Sequence, residues 1–589
     1  MKNYISLLTQ KDNNKIIIFI LLNFFLVIAE TVSIALIPLF IDLFVSPGPI
    51  LANYSNIFKE LSEVEDKTTI INYSIIFFSL IFLIKNIFFI SVTYYQAYLK
   101  KEFNYYLNKK FLNLYLSAPF ETIKSYNSSE ILRNTVTETK NYVTNFFNIL
   151  KFSKDIVLFF SIFILLLIVD LQSTIIVLLI LSLLAIIYIS IFYKYLNKIG
   201  LRKLKAINAV YKWINQTCGA IKEIKIAKKE NKVLENYSNQ VNEFENQQKK
   251  IEIISSLPNS IFEISFVIII LFMIKFIVDL GATNALPALS LYVVAFIRLL
   301  PLVSRFGSTI SALRSYSPSA ELLNAELIKL KKYTHDEQKF KIEDISKLKF
   351  EKNFQLKNIY FKYNDGKKNI FEDFNYKIEK GKSIAILGKS GSGKTTLINI
   401  ICGFLEPTGG KLLVDEKDIF NNNIKSWQKN IGLISQDNYL LDDTLTNNIL
   451  FLDQKENINQ KKFDEAIFFS GVSDFVKELK DGINTKIGEK GSILSSGQIQ
   501  RVALARLLYR DPEILILDEF TNSLDPTNED FILDKLKQLQ LKKNKTFIII
   551  SHKLKPLKIC DEIIVLNHGK ISETMNYPDF YKKYHLIFN

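Results

Sequence analysis

The hydrophobic rhythm of the chain changes at about Phe350. Upstream, apolar residues come in long runs. The first, Ile16 to Ile41, is broken only by Asn23, Glu30 and a few small polar residues. As a helix it spans about 39 Å, enough for a bilayer core of about 30 Å with some tilt. A second run covers Ile70 to Tyr98, with Lys85 inside it, and a third covers Ile156 to Phe192. The third is about 55 Å long as a helix, too long for one crossing, and the stretch Asp170 to Thr174 divides it into two crossings joined by a tight turn. Two further runs, Ile253 to Val278 and Ala288 to Ile310, bring the prediction to six transmembrane helices. The first run is too long for a signal peptide and lacks a small-residue cleavage site.

The polar segments 100–154 and 194–250 keep helical spacing and hold few Gly or Pro, so the membrane helices are expected to extend well beyond the bilayer. Segment 45–68 is different. After Pro47-Gly48-Pro49, residues Leu51, Tyr54, Ile57, Phe58, Leu61 and Val64 recur at helical spacing. The pattern fits both a short amphipathic external helix at about 50–64 and an ordinary ordered loop. The expected organisation is a transmembrane domain over 1–315, a charged, helical-looking linker over 316–349 and an α/β domain over 350–589.

Charge fixes the orientation. Segments 100–154 and 194–250 hold nine and thirteen Lys/Arg, against two in 45–68 and none in 170–173 or 279–287. Cationic residues stay on the cytoplasmic side, so both long loops and both termini are expected there. The net charge of +15 then belongs to membrane topology, and no nucleic-acid partner is needed to explain it. The 589 residues, 48% of them hydrophobic, exceed one core, so two or more domains are expected. Cys218, Cys402 and Cys560 form no CxxC pair and have no suitable His nearby, so neither a disulfide framework nor a zinc site is indicated, and a reducing compartment for the soluble part fits.

The candidate chemistry lies downstream. Gly388-Lys389-Ser390-Gly391-Ser392-Gly393-Lys394-Thr395 follows the apolar strand Ser383 to Leu387 and precedes a helix beginning near Thr396. Glycines let backbone N–H groups wrap phosphates, and a helix N-terminus adds its dipole. Lys394 is expected to reach the β- and γ-phosphates of ATP and Thr395 to ligand Mg²⁺. Ile514 to Leu517 is an apolar strand ending in Asp518-Glu519. Asp518 fits a Mg²⁺-holding acid, and Glu519 fits the general base that orients the attacking water. Between these lies Leu494-Ser495-Ser496-Gly497-Gln498.

With these strings in this order, the chain resembles ATP-binding cassette (ABC) transporters over essentially its full length. The resemblance implies an exporter fold of six transmembrane helices with long cytoplasmic extensions, followed by a P-loop nucleotide-binding domain. It implies ATP and Mg²⁺ as cofactors. It also implies a homodimer with two shared sites, because the chain has one phosphate loop and one signature. Tyr363 matches the aromatic that stacks on adenine, and Gln436 the residue that touches Mg²⁺. Ser495, Gly497 and Gln498 match the signature that meets the γ-phosphate of the opposite site. Asp525 matches the D-loop residue, and His552 the switch histidine. Thr396 falls in the nucleotide-binding stretch. Thr485 to Gly491 looks like the loop before the signature in exporters, and Pro119-Phe120 with Ser128 to Leu132 looks like a first coupling-helix region. Two positions depart from the pattern. Ser496 stands where the signature has Gly, which is tolerable at negative φ and weakening at positive φ. Phe520 stands where a small residue is usual, and local repacking without loss of the base is expected.

A closer resemblance, to bacterial lipid-linked oligosaccharide flippases, rests on Glu30 to Ile34, Pro258 with Glu263, and Arg298 to Pro301. It implies a polyprenyl-pyrophosphate oligosaccharide as cargo, a location in the bacterial inner membrane, and a basic-lined cavity involving Lys85, Arg298 and Arg305. A structural reading of the same charges stays open: a Glu263–Arg298 pair between helices, with Lys85 and Arg305 snorkelling. Multidrug, general lipid and peptide exporters are the alternative functions, and a non-transporting ATP-gated membrane protein is a further one.

Overall fold

The structure, a computed structural model, describes residues 10–45, 67–169, 171–279, 286–333, 346–363, 368–421, 423–452 and 458–588. Segment 50–64, where an external helix was one expectation, lies outside the described residues. The chain forms two compact units, Met1–Glu337 and Gln338–Asn589.

The first unit is built on six long helices among the described residues: α1 (Gln10–Val45), α2 (Lys67–Ser117), α3 (Thr139–Val169), α4 (Leu171–Gly219), α5 (Glu230–Asp279) and α6 (Leu286–Lys331). Each contains one of the apolar runs, the third run being shared between α3, which ends at Val169, and α4, which begins at Leu171. By length and composition, Asn13–Leu36, Asn72–Ser117 and Glu230–Ile269 qualify as membrane spans among the described residues. The helices overrun their apolar cores because the polar segments between them hold no Pro before Pro119, and the single Gly200 before Gly219 is tolerated inside α4. Short helices Phe120–Lys124 and Ser128–Leu132, then a π-helical turn over Arg133–Glu138, lead from α2 into α3.

Packing extends past the apolar runs. Phe103, Phe111, Tyr142 and Phe147 share one buried cluster with Ala320, Leu323, Leu327 and Leu330. The stretch expected as linker is therefore, as far as Lys331, the end of α6, held by the same core as α2 and α3. A polar knot sits beside it. Tyr126 Oη donates to Glu326 at 2.9 Å, and Asn134 Nδ2 donates to Tyr115 Oη at 2.8 Å. Deeper in the bundle, α6 packs closely on two neighbours. A Cβ on Gly307 would fall 2.1 Å from Pro258 Cγ of α5, and one on Gly200 of α4 would fall 2.8 Å from the Ser315 carbonyl oxygen. Phe306 packs edge-on against Phe152 and Phe159 of α3, at centroid distances of 5.5 and 5.6 Å.

The second unit has ten strands among the described residues: β1 (Asn353–Phe361), β2 (Phe371–Glu379), β3 (Ser383–Leu387), β4 (Gly409–Val414), β5 (Lys417–Asp418), β6 (Ile431–Ile434), β7 (Ile514–Asp518), β8 (Thr546–Ile550), β9 (Glu562–Asn567) and β10 (Lys570–Met575). They form an antiparallel sheet of order β2-β1-β4-β5 and a six-stranded sheet of order β10-β9-β3-β8-β7-β6. In the larger sheet β9, β3, β8, β7 and β6 run parallel and β10 is an antiparallel edge. Every residue of β3 and β8 is buried, as a parallel sheet covered on both faces requires. Helices α7 (Lys394–Ile401), α8 (Ser496–Tyr509) and α9 (Pro526–Lys543) carry the elements of the site.

Candidate functional site

Three adjacent parallel strands set the site. β3 ends in the phosphate loop, β7 ends in Asp518, and β8, between them, leads to Ser551 and His552. Open α/β sheets bind ligands at such carboxyl ends.

The loop is shaped by its glycines. Gly391 and Gly393 have φ of +80° and +105°, in the left-handed region. A Cβ on Gly388 would fall 2.5 Å from both the Leu566 carbonyl oxygen and Ser392 Oγ. The loop wraps its own lysine: Lys394 Nζ donates to the carbonyls of Gly388 at 2.5 Å and Lys389 at 3.1 Å. Burial holds this ammonium below its usual range, with Glu519 and Asp518 opposing the shift. Ser390 and Thr395 are exposed, and Ser392 Oγ is buried with no partner among the described residues. Thr396 is buried, and its hydroxyl lies 3.1 Å from Tyr363 Oη, which fastens the tyrosine to the first turn of α7.

Asp518 is half-buried. Desolvation, then the charge of Glu519, pushes its carboxyl above the ordinary range, while Lys394 pulls the other way. Glu519 has φ of +52°, rare for a residue with a side chain. Its N–H donates to the Ile550 carbonyl at 2.9 Å, and Asn522 Nδ2 donates to its Oε2 at 2.9 Å. His552 Nε2 lies 3.5 Å from Glu519 Oε1, with an exposed ring. Phe520 points the other way, buried in the core with Leu517, Leu524 and Leu533. The aromatic is accommodated as core beneath the site. Gln436, just past β6, is exposed.

The signature is the start of α8. Ser495 is its N-cap: Gln498 N–H donates to Ser495 Oγ at 3.3 Å, and Ser495 N–H donates to Gln498 Oε1 at 2.9 Å. Ser496 is the first helical residue and has no positive φ, so serine fits without strain. Gly497 is needed for proximity, since a Cβ there would fall 2.9 Å from the Ser523 carbonyl oxygen. Asp525 caps α9, accepting from Asn528 N–H at 3.2 Å and Asn528 Nδ2 at 2.5 Å, with Pro526 at the first helical position. The structure thus groups Lys394, Asp518, Glu519 and His552 beyond the carboxyl ends of β3, β7 and β8, and Ser495, Gly497, Gln498 and Asp525 at two helix starts.

Sequence reading missed Arg506. Its Nε donates to the Asn448 carbonyl at 2.8 Å, Nη2 to Asn448 Oδ1 at 2.9 Å and Nη1 to the Tyr439 carbonyl at 2.9 Å. It ties the signature helix to the segment that follows Gln436. Its partners are far away in sequence, and no local signal marks them.

In the first unit, Lys85 is half-buried with its ammonium 5.2 Å from the Phe82 ring centroid. Glu263 is exposed and Glu30 half-buried. Arg298 lies on α6, but its side chain falls outside the described residues, and with it the expected Glu263–Arg298 pair. Arg305 has a carboxylate neighbour that sequence reading passed over: its Nη2 lies 3.7 Å from Asp155 Oδ1.

Two family models match the chain, the ABC transporter model over residues 371–522 and the ABC transporter transmembrane region over residues 16–280. The chain is 38% identical over 235 residues to the ATP-dependent lipid A-core flippase of Legionella pneumophila, covering 40% of this chain and 39% of that protein. It is 38% identical over 228 residues to a Staphylococcus aureus protein named for multidrug export (ATP-binding/permease), covering 39% of each. It is 36% identical over 225 residues to ABC transporter B family member 13 of Arabidopsis thaliana, covering 38% of this chain and 18% of that protein. The match therefore spans about two fifths or less of the length of these curated relatives. A solved bacterial Atm1-family ABC exporter with ATP bound superposes with a TM-score of 0.77 at 18% identity, covering 97% of this chain and 96% of that one, a likeness of fold. Both matched regions lie in one polypeptide, and the chain belongs to the ABC transporters with transmembrane region and ATPase fused.

Proposed function

We propose that this ABC transporter chain is an ATP-driven exporter, working as a homodimer that moves a lipid-linked cargo from the cytoplasmic to the outer leaflet. The observation that carries the reading is the grouping of Lys394, Asp518, Glu519 and His552 at the carboxyl ends of three adjacent strands, in a chain that also carries membrane-length apolar helices. In this reading six spans over 1–315 lie in a bacterial inner membrane. The linker 316–349, helical as far as Lys331, leads to a cytoplasmic ATPase over 350–589.

ATP phosphates replace the Gly388 and Lys389 carbonyls around the Lys394 ammonium, and the loop N–H groups of 388–396 bind their oxygens. Tyr363 stacks on adenine. Glu519 orients water and takes its proton as the new O–P bond forms and the bridging bond to the β-phosphate breaks. His552, next to Glu519, holds the γ-phosphate. Adjacent carboxylates at 518 and 519, one of them pushed toward protonation, suit a cation, and the hydroxyl, amide and carboxylate oxygens of Thr395, Gln436 and Asp518 form a hard donor set. Mg²⁺ held there would neutralise charge on the phosphates. Ser495, Gly497 and Gln498 of one copy, with Asp525 beside them, close over the phosphates of the other.

For the cargo, a polyprenyl-pyrophosphate oligosaccharide fits a basic cavity of Lys85, Arg298 and Arg305, and a relative named for flipping lipid A-core supports a lipid. The second reading, multidrug export, is favoured by the name of the S. aureus relative. Proteoliposomes decide between them. The exporter reading expects ATP-dependent movement of fluorescent lipid-linked oligosaccharide, with ATP turnover reduced about 10²- to 10⁴-fold by Glu519→Gln. Movement of a hydrophobic cationic dye, with the saccharide lipid left in place, would sink the lipid assignment.

A further inference from the structure

Asp155 is the most conspicuous charge in the first unit. It lies on α3 at the start of an apolar run, and its side chain is 1% exposed. Neither carboxylate oxygen has a hydrogen-bond partner among the described residues. A buried carboxylate with unmade hydrogen bonds persists only where cations compensate it. Three stand close. Arg305 Nη2 of α6 is 3.7 Å from Asp155 Oδ1, and Lys154 Nζ is 3.9 Å from it. Lys151 is one turn earlier, at the i−4 position on the same helix face. The flanking residues Phe152 and Phe159 pack on Phe306, which pins this face of α3 against the Arg305 segment of α6.

The pair is close but not joined. At 3.7 Å the contact is an ion pair short of a hydrogen bond. Arg305 Nε is also buried without a partner among the described residues. Yet the Arg305 side chain as a whole is 37% exposed, against 1% for Asp155. The guanidinium can reach an outside ligand, and the carboxylate cannot. A cationic ligand would meet three cations around one enclosed carboxylate. An anionic one would meet an accessible fork with unused donors.

We propose that Asp155 is a built-in competitor for Arg305. It holds the guanidinium loosely in place of an anionic lipid pyrophosphate head group, and so sets how tightly that head group binds at the inner mouth of the bundle. The inference rests on the exporter reading for the biological role of the site, but its test is a binding measurement made without ATP hydrolysis.

The full-length protein in phosphatidylcholine nanodiscs, with excess ADP occupying the nucleotide site, is titrated with farnesyl diphosphate, inorganic pyrophosphate and farnesol. Asp155→Asn removes the competing charge and is expected to tighten farnesyl diphosphate binding about tenfold, with farnesol unchanged. Asp155→Glu reaches further toward Arg305 and is expected to weaken binding several-fold. Arg305→Gln added to Asp155→Asn is expected to abolish the gain. Opposite shifts from Asn and Glu, both cancelled at residue 305, are not what a merely structural pair produces. Binding unchanged in Asp155→Glu, or in a normally melting Asp155→Asn protein, overturns the proposal. A gain as large for inorganic pyrophosphate overturns the lipid head group in favour of the free anion. Failure of the exporter reading shows separately, as an absence of ATP-dependent lipid movement in proteoliposomes.

Discussion

Gly497→Ala tests whether the signature's glycine serves backbone freedom or proximity. Its φ is not positive, so alanine meets no conformational penalty. At the second position of α8, alanine gains at most about 1 kcal/mol in helix propensity. Against this, the new Cβ would lie 2.9 Å from the Ser523 carbonyl oxygen and 3.5 Å from Leu524 Cδ2. The first distance is about 0.4 Å inside an ordinary carbon–oxygen contact of roughly 3.3 Å. The obstacle is backbone, two residues before the Asp525 cap of α9, and cannot rotate aside. Overpacking of this kind costs about 1–3 kcal/mol, so the net effect is destabilisation of roughly 0–2 kcal/mol. That corresponds to a fall in melting temperature of at most about 8 °C. The functional effect is larger in proportion. Displacement of 1 Å at a catalytic geometry costs about 10²-fold, so about 0.4 Å between the signature and the segment carrying Asp525 predicts roughly a tenfold loss of turnover. The assay is steady-state ATPase activity in lipid, beside a thermal scan. Gly219→Ala is the control, since nothing lies within 4 Å of its Cβ position. A Gly497→Ala protein with raised melting temperature and full turnover would refute the reasoning.

Trp427 is fully buried and donates from Nε1 to the Ile401 carbonyl, the last residue of α7, at 2.7 Å. Trp427→Phe leaves that carbonyl unpaired, at a cost of about 1–3 kcal/mol before any cavity contribution, and a melting temperature within 1 °C of the parent's would contradict this. Asp415 accepts backbone N–H groups from Glu351, Lys352 and Asn353 at 2.6, 2.8 and 2.9 Å. Burial opposes ionisation there, but the three donors outweigh it and hold the carboxyl below its usual range. Its stabilisation is therefore complete above the unfolded value of about 3.9 and is lost as pH falls through the lower folded value. Asp415→Asn should melt earlier than the parent at neutral pH, with the gap closing below about pH 4. Cys218 is exposed, whereas burial pushes the Cys402 thiol up to about 12 and the Cys560 thiol higher still. N-ethylmaleimide at pH 7.5 should label the native protein at one site and the denatured protein at three, as read by mass spectrometry.

Legibility in the chain tracks the range of the interactions. The phosphate loop, the strand ending at Asp518-Glu519 and the N-cap Ser495 are local patterns, each written within about ten residues. The apolar runs located every long helix but not its ends, because charged segments such as 100–117 stay helical without being apolar. The end of α6 is helical in its pattern, but its packing is not local: Leu323, Leu327 and Leu330 form an ordinary amphipathic stripe until α2 and α3 supply the facing surface. Asp155 was passed over because it borders an apolar run rather than interrupting one. Only packing brings it to Arg305, 150 residues on. Arg506 was hidden likewise, its acceptors lying 58 and 67 residues upstream. The left-handed backbone at Glu519 had no sequence signal, since non-glycine residues rarely adopt it.

The π-helical turn at Arg133–Glu138 bears on how this chain tolerates insertion and deletion. A π turn winds fewer degrees per residue than an α turn, so one such segment shifts the angular phase of the downstream helix by about 100°, as a single inserted residue would. Asn134, at the start of the π turn and bonded to Tyr115 on α2, precedes most of that phase change, and the buried Tyr142, Asn145 and Phe147 on α3 follow it. Removing one residue there would let the segment relax to regular α-helix, but it would rotate Asn134 out of register with the aromatic face. The segment acts as a phase joint between two helical reading frames, open to substitution at the exposed Val136 and closed to changes in length.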